Sequence, residues 1–232
     1  MRLSKRLETV ISFVETGSKV ADVGTDHGYV PIALAKRGTV AQGLAMDVRT
    51  GPLERAKEHI RQHGLEDVIQ VRLSDGVKEL KEGEADTVIV AGMGGELVIH
   101  ILEDGKRLWD EVKHWILSPQ SDIDKVRKFL GENGFRIAQE EMIEEDGKYY
   151  TVMDVTPGRM ERMEPWEVLY GPCLVRKGHP VLKEFLMKER GNLTGILRGL
   201  KGQEGESAKR REGELRQKAA WVEKALEVMA HV

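Results

Sequence analysis

Four short runs carry residue types able to do chemistry. The first is Val20-Ala-Asp-Val-Gly-Thr-Asp-His-Gly-Tyr29, where an apolar segment delivers Asp22 and Gly24 into a turn before a helix. Gly24 and Gly28 lack a Cβ, so the backbone can turn tightly and lie against a ligand. A dinucleotide site places G-x-G-x-x-G here, to seat a pyrophosphate on the helix N-terminus. This run has Asp26 at the second glycine's place. A carboxylate there repels pyrophosphate and attracts a cation, such as the amino group or sulfonium of S-adenosylmethionine. The second run ends in Asp47, about 20 residues after the first loop glycine, where an acid holds ribose hydroxyls. The third is Ser74-Asp75-Gly76, whose acid suits an adenine amino group. Either Asp47 or Asp75 alone suits a helix cap. The ordered set of three favours a nucleoside, which makes Asp22, Gly24, Asp26, His27, Asp47, Asp75 and Gly76 candidate cofactor ligands.

The fourth run, Ala91-Gly-Met-Gly-Gly95, falls where such folds face the transferred methyl group. Enzymes that methylate an exocyclic amine carry D/N-P-P-aromatic there to grip the NH2. Gly92, Met93 and Gly94 leave room and backbone groups but no acceptor side chain. The nucleophile this favours already owns a free lone pair, as adenine N1 does. That atom lies on the Watson–Crick edge, so the base must be unpaired or flipped to react. Alignment, rather than a strong general base, then carries the rate. Tyr29 and Asp26 are the candidate catalytic residues. Tyr29 suits either stacking on the base or closing the rim with an amphipathic ring. Asp26 and His27 suit the amino-acid end of the cofactor or orientation of the base.

These runs need a frame. Apolar stretches at Lys19–Val23, Val40–Asp47, Val68–Arg72, Thr87–Ala91 and His114–Leu117 predict strands. Helical periods between them at Tyr29–Lys36, Leu53–His63, Glu96–Leu102, Trp109–Val112 and Ile123–Glu132 predict βαβ units and a parallel sheet. Phe135–Glu144 and Tyr149–Val155 flank Glu145-Asp-Gly and must pair antiparallel. A parallel sheet ending in one antiparallel hairpin is the seven-stranded, Rossmann-like methyltransferase arrangement. The predicted domains are 1–157 for this α/β sheet and 158–232 for a linker and an α-helical tail. In the tail, Leu182, Leu186, Glu189, Leu193, Ile196 and Leu200 step by four and three, as do Leu215, Ala219, Val222, Leu226 and Met229. With Gly202–Gly205 between them, two helices should fold back as a coiled-coil hairpin.

The charge is divided in the same way. The chain of 232 residues has a net charge of −3, but residues 1–157 hold 21 basic and 28 acidic side chains, whereas 158–232 hold 15 and 11. A basic tail suits a polyanion, although charge alone favours the plainer reading of a solvated helical surface. Lys209, Arg210 and Arg211 are its candidate contacts, with Lys5 and Arg6 at the sheet's rim. The single Cys173 excludes an internal disulfide and any zinc site built on several cysteines. No metal is expected. The lone thiol, the lack of a leader-like N-terminus and the lack of an apolar run of roughly 20 residues make a cytoplasmic protein without membrane attachment the expectation. Nothing calls for an obligate protein partner. A methyltransferase for a small molecule or a protein is the alternative reading. A non-enzymatic coiled-coil adaptor fits the carboxylate set poorly. A cysteine-dependent cytosine methyltransferase fits poorly too, because Pro172-Cys173 lies beyond the sheet.

Leu3-Ser-Lys-Arg-Leu7, Ala21-Asp-Val-Gly-Thr-Asp-His-Gly-Tyr29, Gly51-Pro52, Asp75-Gly76, Ala91-Gly-Met-Gly-Gly95 and Glu145-Asp-Gly-Lys148 together resemble the bacterial tRNA (adenine-22-N1)-methyltransferase family. The likeness covers nearly the whole chain, and the tail matches in architecture. It implies a Rossmann-like domain with a coiled-coil tail, S-adenosylmethionine as donor, and N1 of an adenine in the tRNA D-arm as acceptor. The chain departs from the family with Asp47 where many members have Glu. It also has Gly28 where some have Ala, and Ser118-Pro119-Gln120 where some read Gln-Pro-Asn. Gln120 is therefore a candidate contact to the base.

Overall fold

The computed structural model describes residues 3–200 and 205–231. Two compact units divide the chain, Met1–Glu161 and Arg162–Val232.

The first unit runs α1 (Lys5–Ser12), β1 (Ser18–Val23), α2 (Tyr29–Lys36), β2 (Val40–Asp47), α3 (Thr50–Gln62), β3 (Ile69–Leu73), β4 (Thr87–Ala91), α4 (Gly95–Asp104), β5 (His114–Ser118), α5 (Ile123–Glu132), β6 (Phe135–Glu145) and β7 (Lys148–Pro157). The seven strands lie in the order β3-β2-β1-β4-β5-β7-β6. The first five are parallel, and β7 enters antiparallel between β5 and β6. Val88, Ile89 and Val90 of β4 and Trp115, Ile116 and Leu117 of β5 are fully buried. Such continuous apolar runs belong to parallel strands covered on both faces. The order reverses beside β1, and the C-terminal ends of β1, β2, β3 and β4 open on that crevice, the usual ligand position in such sheets. The β6–β7 connection uses Asp146 and Gly147, both with positive φ (53° and 75°), as a two-residue hairpin requires.

One helix expected from periodicity is absent. Trp109–Val112 is not helical; a single 3-10 turn, Lys106–Leu108, precedes it. The Trp109 indole donates to the Leu102 carbonyl at 2.8 Å and packs edge-on against Phe135. Trp109 is therefore spent on ending α4 and covering the core.

The second unit holds α6 (Pro165–Tyr170), α7 (Pro172–Arg176), α8 (Pro180–Leu200) and α9 (Glu206–Ala230). The stretch expected to be a linker thus contains two short helices. Each starts with its proline at the first helical position, where a missing N–H costs nothing. α8 packs along α9 and buries Leu182, Leu186 and Leu193; α9 buries Leu215, Val222, Ala225 and Met229. Ile196 departs from the expected seam and is exposed, while Leu197 beside it is half-buried. Glu189, the polar seam position, pairs with Lys218 of α9 at 2.7 Å. Gly202 and Glu204, between the two helices, lie outside the described residues.

Candidate active site

The crevice is a cavity of about 490 Å³ lined by residues from all four strand ends and from α1. Its geometry starts at β1. Asp22 is buried, and Gly24 follows with φ 78°. The amides of Gly24 and Thr25 both donate to the Met46 carbonyl, at 2.8 and 2.9 Å. This ties the first loop to the end of β2, where Asp47 sits buried. Asp47 Oδ1 accepts the Arg49 amide at 2.8 Å, and its carbonyl accepts the Ser74 amide at 2.9 Å. Three successive strand ends are stitched together in this way. Neither Asp47 nor Asp75 caps a helix: the N-cap of α3 is Arg49, which makes no side-chain cap bond, and no helix follows Asp75 directly.

Burial sorts the carboxylates. It pushes the Asp22 carboxyl up to about 6; the Thr25 hydroxyl offsets part of that rise and the Asp47 carboxylate adds to it. Asp75 is exposed, and the Lys78 ammonium, 2.5 Å away, holds its carboxyl below the ordinary range. Asp26 is exposed at the rim, 3.5 Å from Arg55 of α3 and 3.3 Å from His27. The cavity therefore offers a deep acid at Asp22, whose burial favours the protonated form, and an outer acid at Asp75 held ionised by Lys78.

The loop after Gly24 is strained and braced. His27 has φ 59° and Gly28 φ 71°. A non-glycine residue in this left-handed region costs energy and persists where its surroundings enforce it. His59 of α3 provides the brace, with Nδ1 2.9 Å from the His27 carbonyl. The rings of His27, Tyr29 and His59 stand 5.2 to 5.8 Å apart with planes within 20° of parallel. Tyr29 thus meets the cavity from a fixed direction at the first residue of α2.

The glycines after β4 make the opposite wall. Gly92 has φ 85°, and its amide donates to the Ser118 carbonyl at 3.0 Å, joining this loop to the end of β5. The Gln120 amide returns a bond to the Met93 carbonyl at 2.8 Å. Met93 Cε fills the space in which a Cβ on Gly24 would stand, so the two loops interlock. Arg6 and Gln120 reach the space beside Gly92.

Most sequence-predicted residues meet here. Asp22, Gly24, Asp26, Tyr29, Asp47, Asp75, Gly76, Gly92, Met93, Arg6 and Gln120 all line the cavity. His27 and Gly94 stand behind its wall: His27 braces the loop, and Gly94 packs against Ser121. Lys5 also stands away from the lining; its amide bonds Glu145 at 2.6 Å. Lys209, Arg210 and Arg211 are on α9 of the second unit, where Arg210 and Arg211 lie 3.9 and 3.6 Å from Glu214. Sequence reasoning missed Arg49, Arg55, His59 and the apolar side chains Val48, Leu97 and Ile101. Val48 and Leu97 are exposed aliphatic groups on the lining, an unusual position that suits a flat base. A hydrophobic residue directly after a strand-terminal acid was the available signal for Val48. Among the described residues, no group of three or more His, Cys, Asp or Glu is placed to hold a metal, and no helix is long and apolar enough to cross a membrane.

Known proteins place this arrangement. Residues 3–153 match a family model described as a methyltransferase domain. The tRNA (adenine(22)-N(1))-methyltransferase of Bacillus subtilis is 34% identical over 195 residues, which is 81% of this chain and 80% of that protein. The crystal structure of the B. subtilis M1A22 tRNA methyltransferase TrmK superimposes with a TM-score of 0.86 at 30% identity, covering 97% of this chain and 98% of the other. Streptococcus pneumoniae Sp1610, crystallised in complex with S-adenosyl-L-methionine, gives a TM-score of 0.86 at 34% identity, covering 97% of this chain and all of that one. The fold, the glycine-walled cavity and these relatives agree, and the chain belongs to the bacterial tRNA (adenine-22-N1)-methyltransferase family.

Proposed function

We propose that this chain methylates N1 of adenine 22 in tRNA, with S-adenosylmethionine as methyl donor. One observation carries the reading. Carboxylates at the ends of three successive strands share a single cavity with a glycine-lined opening at Gly92.

The residues present fit the cofactor. Asp47 is buried at a strand end, with Oδ1 set by the Arg49 amide, ready to accept ribose hydroxyls. Val48 and Leu97 on the lining would offer apolar faces to the adenine, and Asp75 and Gly76, which line the same cavity, would supply its polar contacts. Asp22 and Asp26 supply negative charge toward a cationic donor. A side chain at Gly24 would collide with Met93 and one at Gly92 would crowd Arg6, so glycine at both positions lets these walls of the cavity approach each other. The bound cofactor supplies an electrophilic methyl group on a sulfonium.

The protein's task is then placement. Adenine N1 is unprotonated at neutral pH, so no side chain must take a proton from it. Tyr29, held by the His27 and His59 rings, orients the incoming base, and Gln120 offers an amide to its edge. Asp26, 3.5 Å from Arg55 at the rim, orients the base or the amino-acid end of the cofactor. Val30, Leu97 and Ile101 supply the apolar part of the lining. Alignment of two reactants in such a site is worth several powers of ten in rate.

The second unit supplies the hold on RNA in this reading. Its exposed Lys209, Arg210 and Arg211 meet phosphates, with Lys5 contributing from the first unit. Their interleaved glutamates make the patch modest, so few phosphates are neutralised and binding should weaken only gradually with salt. Domain organisation follows the same division, with a catalytic domain over 1–157 and an RNA-holding tail over 158–232.

Incubation of unmodified tRNA with labelled methyl donor, followed by nucleoside analysis, tests the reading. 1-Methyladenosine at position 22 is the expected product. Label in another nucleoside, or transfer to protein or a small molecule in place of RNA, would overturn it. Tyr29→Ala should lower turnover far more than cofactor affinity; equal turnover would remove Tyr29 from the reaction.

A further inference from the structure

Arg6 is the cation that the cofactor reading leaves unexplained. It reaches the cavity from the first turn of α1. A Cβ built on Gly92 would stand 3.3 Å from Arg6 Nη1, 3.6 Å from Nη2 and 3.8 Å from Gln120 Nε2. The guanidinium therefore borders the place where the methyl group is transferred. Nη1 is withdrawn from solvent and has no hydrogen-bond partner among the described residues. The Tyr150 ring lies 5.7 Å from its Cζ and gives weak cation–π support. A partly buried guanidinium without an anion is costly.

The placement of Arg6 depends on a distant residue. The Glu145 carboxylate, at the tip of the β6–β7 hairpin, accepts the backbone amides of Lys5 at 2.6 Å and Arg6 at 3.2 Å. Ser4 Oγ accepts the next amide, that of Leu7, at 3.3 Å. These three amides are the ones a helix start leaves unpaired. Glu145 thus fastens the first turn of α1 to the hairpin and sets the origin of the Arg6 side chain. The Glu145-Asp-Gly-Lys148 run had no role in the cofactor site; here it acquires one.

We propose that Arg6 anchors an anionic group of a reactant beside Gly92, and that Glu145 is the residue that positions it. The proposal rests on the methyl-transfer reading above. A guanidinium fork suits a carboxylate or a phosphate. The two sources are the amino-acid carboxylate of the cofactor and a phosphate flanking the target adenosine.

Full-length Arg6→Gln, Glu145→Ala and Glu145→Gln are compared with the wild type in two measurements. The first is calorimetric affinity for S-adenosylhomocysteine and for 5′-methylthioadenosine, which lacks the carboxylate. The second is the KM for unmodified tRNA. Loss of a charge-assisted pair should weaken binding about tenfold to a hundredfold. If the cofactor carboxylate is the ligand, Arg6→Gln loses that much for S-adenosylhomocysteine and nothing for 5′-methylthioadenosine. If the phosphate is the ligand, both affinities hold and the tRNA KM rises by the same factor. Glu145→Ala should move the same parameter as Arg6→Gln, and Glu145→Gln, which keeps an acceptor oxygen, should restore most of it. An Arg6→Gln protein equal to wild type in all three parameters overturns the proposal. A Glu145→Ala protein that loses only melting temperature overturns the positioning role. A wild-type chain that binds no S-adenosylhomocysteine overturns the underlying reading and the proposal with it. Wild-type binding and turnover beside a silent Arg6 variant overturns the proposal alone.

Discussion

Asp22 is an acid held against its own charge. Its folded-state carboxyl titrates near 6, above the ordinary 3.8, because it is buried. Folding therefore takes up a proton in that interval. The stabilising contribution is whole below 3.8 and is lost as pH rises through 6. Asp22→Asn should stabilise the protein at about pH 7.5 by about 3 kcal/mol, and by little at about pH 4. It should also weaken S-adenosylhomocysteine binding at the higher pH. Urea denaturation at both pH values checks the first part, and equal midpoints for variant and wild type at pH 7.5 would refute it. Gly24 gives a second residue-scale prediction. It has φ 78°, and a methyl group there would collide with Met93. Gly24→Ala should cost about 1–3 kcal/mol and reduce cofactor affinity, measured by thermal melting and calorimetry. These two positions were legible in the sequence, because acid and glycine types are informative in themselves. Arg6 was legible as a cation but not as an inhabitant of the cavity. That position depends on Glu145, and no local pattern joins residues 140 positions apart.

Among the elements, two strands that feed the site and the helix α5 were the most readable. Val40–Asp47, Thr87–Ala91 and Ile123–Glu132 form with the expected bounds. Their apolar runs are stopped by an acid, by glycines and by Asn133-Gly134, so pattern and punctuation agree. The elements misread were those whose boundaries depend on tertiary contacts. Pro165 and Pro172 break a local pattern yet start α6 and α7. Trp109 follows a helix but is drawn to the core by Phe129 and Phe135. The seam of α8 passes through Leu197 rather than Ile196, a one-residue shift that stepping by three or four cannot exclude. One prediction belongs at this scale. Arg127 of α5 and Glu140 of β6 form a buried pair at 2.9 Å that fastens this helix to its strand. Removing one partner strands a charge, so Glu140→Ala should cost about 3–5 kcal/mol, read from urea midpoints. A change within error would mean that water or another group takes the place of the lost carboxylate.

For the whole molecule, the two compact units give a direct test of the division of labour. A chain ended after Glu161 should keep S-adenosylhomocysteine affinity within a few-fold and lose tRNA methylation. Full tRNA activity in the shortened chain would remove the tail from RNA binding. The near-neutral net charge of −3 carries little information, because the acidic first part and the basic second part cancel. The cap on α1 also has a consequence in time. Lys5 and Arg6 are made early, and Glu145 follows 140 residues later. A ribosome adding about 5–20 residues per second leaves α1 without its anchor for roughly 7 to 30 seconds. During that interval the parallel strands can pair, but the wall beside Gly92 is not yet held in place. Ligand-binding competence should therefore arrive at one late moment of synthesis, when the hairpin docks, rather than accumulate strand by strand.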